Sequence, residues 1–366
     1  MTNPLSRLFG KGDLWQKSNG SVVGIDIGHS SVKAVQLRAE GGQAILETYG
    51  EIATGPYVGL AIGQAANLSS EKMSELLRDL LEEANITARL VSLSVPLRSS
   101  LLVIIELPKV SEDKINNVIK IEARKYIPVP ISEVELDWFV IPKLAEVSSA
   151  RDKTEVLLAA IHKDILKQFR ENLRPLHLSP AFFEIETFSA IRAVITKERG
   201  PTVIIDFGAS TTKLTIIDAG IVQASHTINK GAQDITLAIS RSLGIEFAKA
   251  EEIKRSAGLV EHFQGQKLSS MVNAIIEFTF SEAEKVVTAY QTKRHRSIEK
   301  VVMIGGGALL SGLVEITSQS FKVPVIIGHP FAKLQFPAFL EETLEKTGPG
   351  FSVAIGLALR HLQSLE

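Results

Sequence analysis

The sequence predicts an α/β protein built from two related halves, and three observations carry the prediction. A glycine-ended strand followed by a hydroxyl-rich turn occurs twice: VGIDIGHSSVKAVQL at 23–37 returns as VIIDFGASTTKLTII at 203–217. Around both copies, apolar runs of strand length alternate with amphipathic stretches of helix length. Finally, 366 residues with 45% hydrophobic side chains are too many for one ordinary core and ample for two.

The elements follow in order. After Gly20, SVVGIDIG, SVKAVQLRAE and AILETYGEIA read as a β-meander with Gly41-Gly42 at a turn. Residues 69–85 form an amphipathic helix capped by Ser69 or Ser70, with Met73, Leu76, Leu77, Leu80 and Leu81 as its apolar stripe. LVSLSVP and LLVIIELP are strands. The helix over 111–125 starts at Ser111 and stops at YIPVP, because Pro128 and Pro130 push the residues before them out of the α region. ELDWFVIP and EVLLAAIHK are strands, KDILKQFRENLRPLH a helix, and AFFEIETFSAIRAVITKERG a strand with a helix. Gly200-Pro201 marks the main boundary. Past the second hairpin come two helices (GAQDITLAISRSLG, FAKAEEIKRS), a long helix over 269–294, strand-loop-helix at VVMIGGGALLSGLVEITSQSF, strand PVIIG, a loop and a terminal helix from Ser352.

Composition removes several functions. Lys and Arg number 40 against 41 Asp and Glu, so no general grip on nucleic acid is expected. The KRHR cluster at 293–296 is expected to be the solvated end of the long helix. No cysteine means no disulfide framework, thiolate metal site or thiol catalysis, which suits a cytoplasmic location. Eight scattered histidines without paired spacing argue against a histidine metal site. No G-x-S-x-G elbow, Walker A loop or dinucleotide fingerprint occurs. The first twenty residues lack a secretory signal, and both long charge-free windows are broken by Pro or Gly, so membrane contact is expected to be peripheral. Leu5, Leu8, Phe9 and Trp15 beside Arg7, Lys11 and Lys17 would suit a weak interfacial foot; a frayed terminus is the plainer expectation.

The repeated D-x-G-x-S-S/T-x-K hairpin has a chemical logic. Gly28 and Gly208 let backbone N–H groups approach a ligand oxygen closely, while Ser30, Ser31, Ser210 and Thr211 add hydroxyl donors. Lys33 and Lys213 would supply positive charge to phosphate. Asp26 and Asp206 end buried strands, where an unpaired carboxylate is costly, and a hydrated Mg²⁺ would account for both.

Together these parts resemble the actin-like ATPase family, with its ribonuclease H-like duplicated domains. DIGHSSVK and DFGASTTK resemble its two phosphate hairpins. VVMIGGGALLSGL resembles its adenosine motif, which would put Gly305, Gly306 and Gly307 by the adenine and α-phosphate. IETFSAIRAV and SVAIGLALRH, with Gly356, resemble the two connecting helices. Glu186 matches the glutamate that orients the attacking water in MreB, although Thr187 stands where MreB has proline and Glu184 lies nearby as a competing carboxylate. AEEIK resembles a helix of MreB and FtsA whose Glu and Lys meet ribose and adenine, roles that would fall to Glu251 and Lys254.

Between Pro96 and His177 the element order resembles the relocated 1C subdomain of FtsA. Within it, IEARKYIPVPISEVELDWFVIP resembles the type IV pilus assembly protein PilM family, with its E-A-x-x-Y-I-P-F/V-P segment followed by L-D-W/Y. Departures are modest: His29 replaces a small hydroxyl residue and Phe207 is bulky within D-x-G. The resemblance implies ATP and Mg²⁺ in the cleft, at most slow hydrolysis, and a place on the cytoplasmic face of the inner membrane. It implies capture there of the cytoplasmic N-terminal peptide of a PilN-like membrane protein, with self-association as a second contact. Leu101, Val103, Ile105, Leu107, Tyr126 and Ile127 are candidates for the peptide-binding wall. The implied subdomains, after the flexible segment 1–20, are 1A (21–97, 178–200 and 350–366), an FtsA-type 1C (98–177), 2A (201–230 and 300–349) and 2B (231–299). Two other functions share the fold. An FtsA-like membrane scaffold is opposed by the Y-I-P-V-P segment and by the lack of an amphipathic anchor after His361. A small-molecule kinase would need a second-substrate Asp or Arg set that is not identifiable.

Overall fold

Each half of the chain builds its sheet in the same way. β1 (Val22–Ile27), β2 (Ser31–Glu40) and β3 (Gln43–Ala53) form an antiparallel meander; β4 (Leu90–Val95) and β8 (Ser179–Ile185) extend it in parallel, giving the order β3-β2-β1-β4-β8. The second lobe repeats this with β9 (Thr202–Phe207), β10 (Thr212–Asp218), β11 (Ile221–Ile228), β14 (Lys300–Ile304) and β15 (Val325–Ile327), in the order β11-β10-β9-β14-β15. The computed structural model describes residues 20–108, 112–142, 153–196, 200–259, 262–263 and 266–363. The suggested interfacial foot and Ser111 lie outside them.

Between β4 and β8 a third sheet is inserted, made of β5 (Ser100–Pro108), β6 (Val134–Val140) and β7 (Lys153–His162) in the antiparallel order β5-β7-β6. The run VLLAAI in β7 is apolar without alternation because this central strand is covered on both faces. Leu157, Ala159 and Ile161 join the first-lobe core, a cluster that also takes in Ile204, Ile217, Val222 and Val302 of the second lobe. Val156, Leu158 and Ala160 pack instead with Ile105 and Leu107 of β5 and with Ile119 of α2 (Glu112–Ala123).

α1 (Ser70–Glu83) begins where Ser69 Oγ accepts from the Lys72 N–H at 3.3 Å, and it buries Leu76, Leu77, Leu80 and Leu81. α3 (Lys163–Leu173) closes the insertion, yet its apolar face (Leu166, Phe169, Leu173) belongs to the first-lobe core. α4 (Glu186–Val194) and α10 (Ser352–Gln363) connect the lobes and cross in backbone contact: a Cβ at Gly356 would collide with the Ser189 carbonyl. Buried Glu184 ties the crossing together by accepting from Arg192, Arg360 and Ser189. Burial opposes its ionisation, but the two guanidiniums prevail and hold its pKa at about 2.

The second lobe packs α5 (Ala232–Leu243), α6 (Phe247–Ala257), the long α7 (Leu268–Arg294) and α8 (Leu313–Phe321) on its sheet, and a small β12–β13 ladder (His262–Phe263, Gln266–Lys267) precedes α7. Two expectations need correction here. The stretch after β15, expected to be a loop of the second lobe, contains α9 (Glu341–Thr347) and returns to the first lobe early. Phe331, Leu334 and Leu344 pack with Val22, Val35 and Leu37, and Gln335 exchanges backbone hydrogen bonds with Ala44 and Leu46 on the outer edge of β3. Seven residues of EETLEKT are too few to reveal a helical period. Nor is KRHR merely solvated. Arg294 reaches Glu155 of β7 at 2.8 Å, Lys293 reaches Glu106 of β5 at 3.5 Å, and Arg296 reaches Asp218 at 3.1 Å, so the end of α7 is joined to the inserted sheet. Among the described residues no helix is long and apolar enough to cross a membrane.

Candidate functional site

The two meanders face each other across a cleft of about 460 Å³, and every residue nominated above for nucleotide, metal or catalysis lines it. Strand register explains the convergence. Asp26 stands opposite Lys33 on β1–β2, and Asp206 opposite Lys213 on β9–β10, so each hairpin presents one carboxylate and one ammonium side by side.

Beyond that register the copies diverge. Asp26 accepts from Ser94 Oγ of β4 at 2.7 Å, and burial keeps its pKa above the usual carboxylate value despite Lys213 and Lys33. Lys33 bonds to Ser31 Oγ at 2.6 Å and pairs with Glu51 of β3 at 2.9 Å. Lys213 lies between Asp206 at 3.0 Å and Glu186 at 2.6 Å. Burial alone would lower its pKa, but Asp206 and Glu186 outweigh burial and keep it firmly charged. Both Glu186 oxygens are engaged, since Oε1 accepts the Leu97 N–H at 2.7 Å while Oε2 takes Lys213. Burial, reinforced by Asp206 and Asp26, still pushes the Glu186 pKa up against the pull of Lys213. In the ligand-free chain each hairpin lysine is held by a carboxylate, because β3 and α4 supply acidic partners that hairpin spacing could not reveal.

On the opposite wall, Glu251 and Lys254 are buried (5% and 7% exposed), not a solvated pair. Glu251 accepts from Thr236 Oγ1 at 2.6 Å, Lys254 at 2.7 Å and Arg255 Nε at 2.7 Å. Burial resists its ionisation, and Lys254 overcomes that to lower its pKa. Gly305 holds φ 82° with its Cα against Asp206, where a side chain would meet the carboxylate. Phe207 is accommodated beneath Gly307, where a Cβ would strike its ring.

The residues fit a phosphorylated ligand on one further observation. Ser210 Oγ, in the second hairpin, is buried and has no hydrogen-bond partner among the described residues, so it offers an unused donor at the turn. For a metal, no group of three or more His, Asp or Glu side chains comes together among the described residues. Asp26 and Asp206 suit an ion held mostly through water and ligand oxygens, as magnesium is.

The proposed peptide-binding wall changes most. Ile105, Leu107 and Ile127 are buried beneath α2 and are core residues. Odd-numbered residues of β5 face the helix, so Leu101 and Val103 are half-buried there too, while Tyr126 is 43% exposed. Sequence reasoning also missed Ser94, Glu51 and Arg98. Arg98, just beyond the C-terminal end of β4, had a positional signal, because ligands of parallel-stranded sheets gather at such ends.

Comparison with known proteins agrees over most of the chain. The sequence model of the family described as type IV pilus assembly protein PilM matches residues 24–362. Among solved structures, a chain of the PilM-PilN type IV pilus biogenesis complex superposes with a TM-score of 0.79 at 25% identity, covering 94% of this chain and 99% of that one. Cell division protein FtsA of Streptococcus pneumoniae serotype 2 is 23% identical over 350 residues, 85% of this chain and 76% of the relative. MreB 5 of Spiroplasma citri, bound to AMPPNP, has a TM-score of 0.51 at 13% identity over 93% of this chain and 96% of its own, a likeness of fold.

Proposed function

The chain belongs to the type IV pilus assembly protein PilM family and has the actin-like ATPase fold; from that premise we propose that it is an ATP-binding component of the pilus assembly platform, docking a PilN-like membrane protein. The observation that carries the nucleotide half is the gathering of both hairpins, the Gly305–Gly307 turn and the Glu251–Lys254 pair on one cleft. ATP would lie with its adenosine against that turn and pair, and its phosphates between the hairpins. Mg²⁺ would sit between water and phosphate oxygens near Asp26 and Asp206. Hydrolysis is at most slow, since Lys213 and the Leu97 N–H already occupy part of the acceptor capacity with which Glu186 would orient a water.

In the solved relative PilM is found in complex with PilN. A corresponding groove here would run beside the inserted sheet, with the exposed Tyr126 and the half-buried Leu101 and Val103 of its α2-covered face as the accessible candidates. Docking such a peptide would hold the protein peripherally on the inner face of the cytoplasmic membrane. The four subdomains keep the limits set out above, with the return to 1A moved forward to about Pro330. Calorimetry with short N-terminal peptides of PilN-like proteins, with and without Mg-ATP, tests the reading. Binding that differs between the two conditions is expected, and no capture in either would overturn the docking assignment.

A further inference from the structure

The cleft is lined by the cations Lys33, Arg98, Lys213, Lys254, Arg255 and Lys346. All but one are matched within the chain: Lys33 with Glu51, Lys213 with Glu186 and Asp206, Lys254 and Arg255 with Glu251, and Lys346 with Glu342. Arg98 is the exception. Its side chain is exposed, and it has no side-chain hydrogen bond or ion pair among the described residues.

The position of Arg98 is as informative as its charge. It lies on the short turn Leu97–Ser99 between β4 and β5, the root of the inserted sheet. That turn touches the cleft directly, since the Leu97 N–H holds Glu186 at 2.7 Å. It is also tied to the strand it starts, because Ser100 Oγ donates to the Leu97 carbonyl at 3.0 Å. Toward the far end of β5, Glu106 meets Lys293 of α7 at 3.5 Å. Arg98 further lies near His29 of the first hairpin, whose pKa burial and then Arg98 push down to about 4. It thus stands by the first hairpin and the turn that holds Glu186.

We propose that Arg98 binds the terminal phosphate of a nucleoside triphosphate and thereby reports to the inserted sheet which nucleotide occupies the cleft. A guanidinium presents a planar fork of donors suited to phosphate oxygens. Each of the other cleft cations already has a carboxylate partner within the chain, with Lys254 and Arg255 sharing Glu251, so Arg98 is the one left for a third phosphate to pair. A diphosphate, one phosphate shorter, would leave it unmatched. The inference rests on the ATP reading of the cleft.

Calorimetry with Mg-ATP and Mg-ADP on the wild type, Arg98→Gln and Arg98→Lys tests it. Arg98→Gln is expected to lose at least about tenfold in ATP affinity, about 1.4 kcal/mol, with ADP affinity nearly unchanged and Arg98→Lys partly restored. Hydrogen exchange supplies a readout that a merely structural role would not move. The amides of β5 should exchange differently under ATP and ADP in the wild type and alike in Arg98→Gln. Equal losses for both nucleotides, no loss for ATP, or a persistent exchange difference in Arg98→Gln would overturn the proposal while leaving the cleft reading intact. A wild type that takes up neither nucleotide would remove both.

Discussion

The first and second hairpins share Asp, Gly, Ser and Lys at matching places, yet their lysines live in different surroundings. Lys33 pairs with the half-exposed Glu51 at the rim, whereas Lys213 is enclosed by Asp206 and Glu186. Conversely, Asp26 leans on a serine hydroxyl while Asp206 has a cation. A repeated motif fixes backbone shape and donor positions. What each charged group does is fixed by the strand or helix that arrives beside it.

The largest test of this contrast is to remove each lysine. Lys213→Met strands buried carboxylates and should cost about 3–5 kcal/mol in urea unfolding near neutral pH. That loss should shrink in acid, where Asp26 and Glu186, both already raised in pKa, take up protons readily. Comparable costs for Lys213→Met and Lys33→Met would break the comparison.

Glu184 sharpens it from outside the hairpins, because its pKa moves the other way. Held at about 2 in the folded chain against an ordinary 4.5, it contributes on the order of 3 kcal/mol above pH 4.5. That contribution disappears as the pH falls from about 4.5 to about 2. Stability should therefore drop steeply across that window, and Glu184→Gln should flatten the profile; an unchanged profile would assign the acid sensitivity elsewhere.

Next in size, Asp26→Asn and Asp206→Asn should each weaken Mg-ATP binding by at least about tenfold, or 1.4 kcal/mol, in calorimetry. Their effects on the free protein should differ in sign. Asp26→Asn removes a charge that burial disfavours and should stabilise it, whereas Asp206→Asn takes a partner from Lys213 and should destabilise it. The same sign in both would mean the two aspartates are equivalent after all. The smallest effect belongs to Lys33→Met, under about 1 kcal/mol, because its partner is half in water.

Much of this was legible in advance. The meanders, the capped α1 and the convergence of the two hairpins follow from period, turn residues and repetition. What the hairpin lysines touch was not, because Glu51 and Glu186 reach them only through sheet order and the placement of α4. Glu251 and Lys254 are buried against another helix, whose Thr236 donates to Glu251, and i, i+3 spacing cannot foretell that neighbour. The β5 residues Ile105 and Leu107 read equally well as wall or core, since an apolar alternation shows that one face is covered without showing by what. The early return of the chain at Phe331 was hidden in a stretch with no regular period.

The meeting of Gly356 with Ser189 has a mechanical consequence. Two helices in backbone contact, clamped by one carboxylate shared between two guanidiniums, cannot slide past each other without breaking that clamp. Lobe movement that keeps this clamp intact is accordingly expected to be a rotation about the crossing, with the largest displacements at the outer rims.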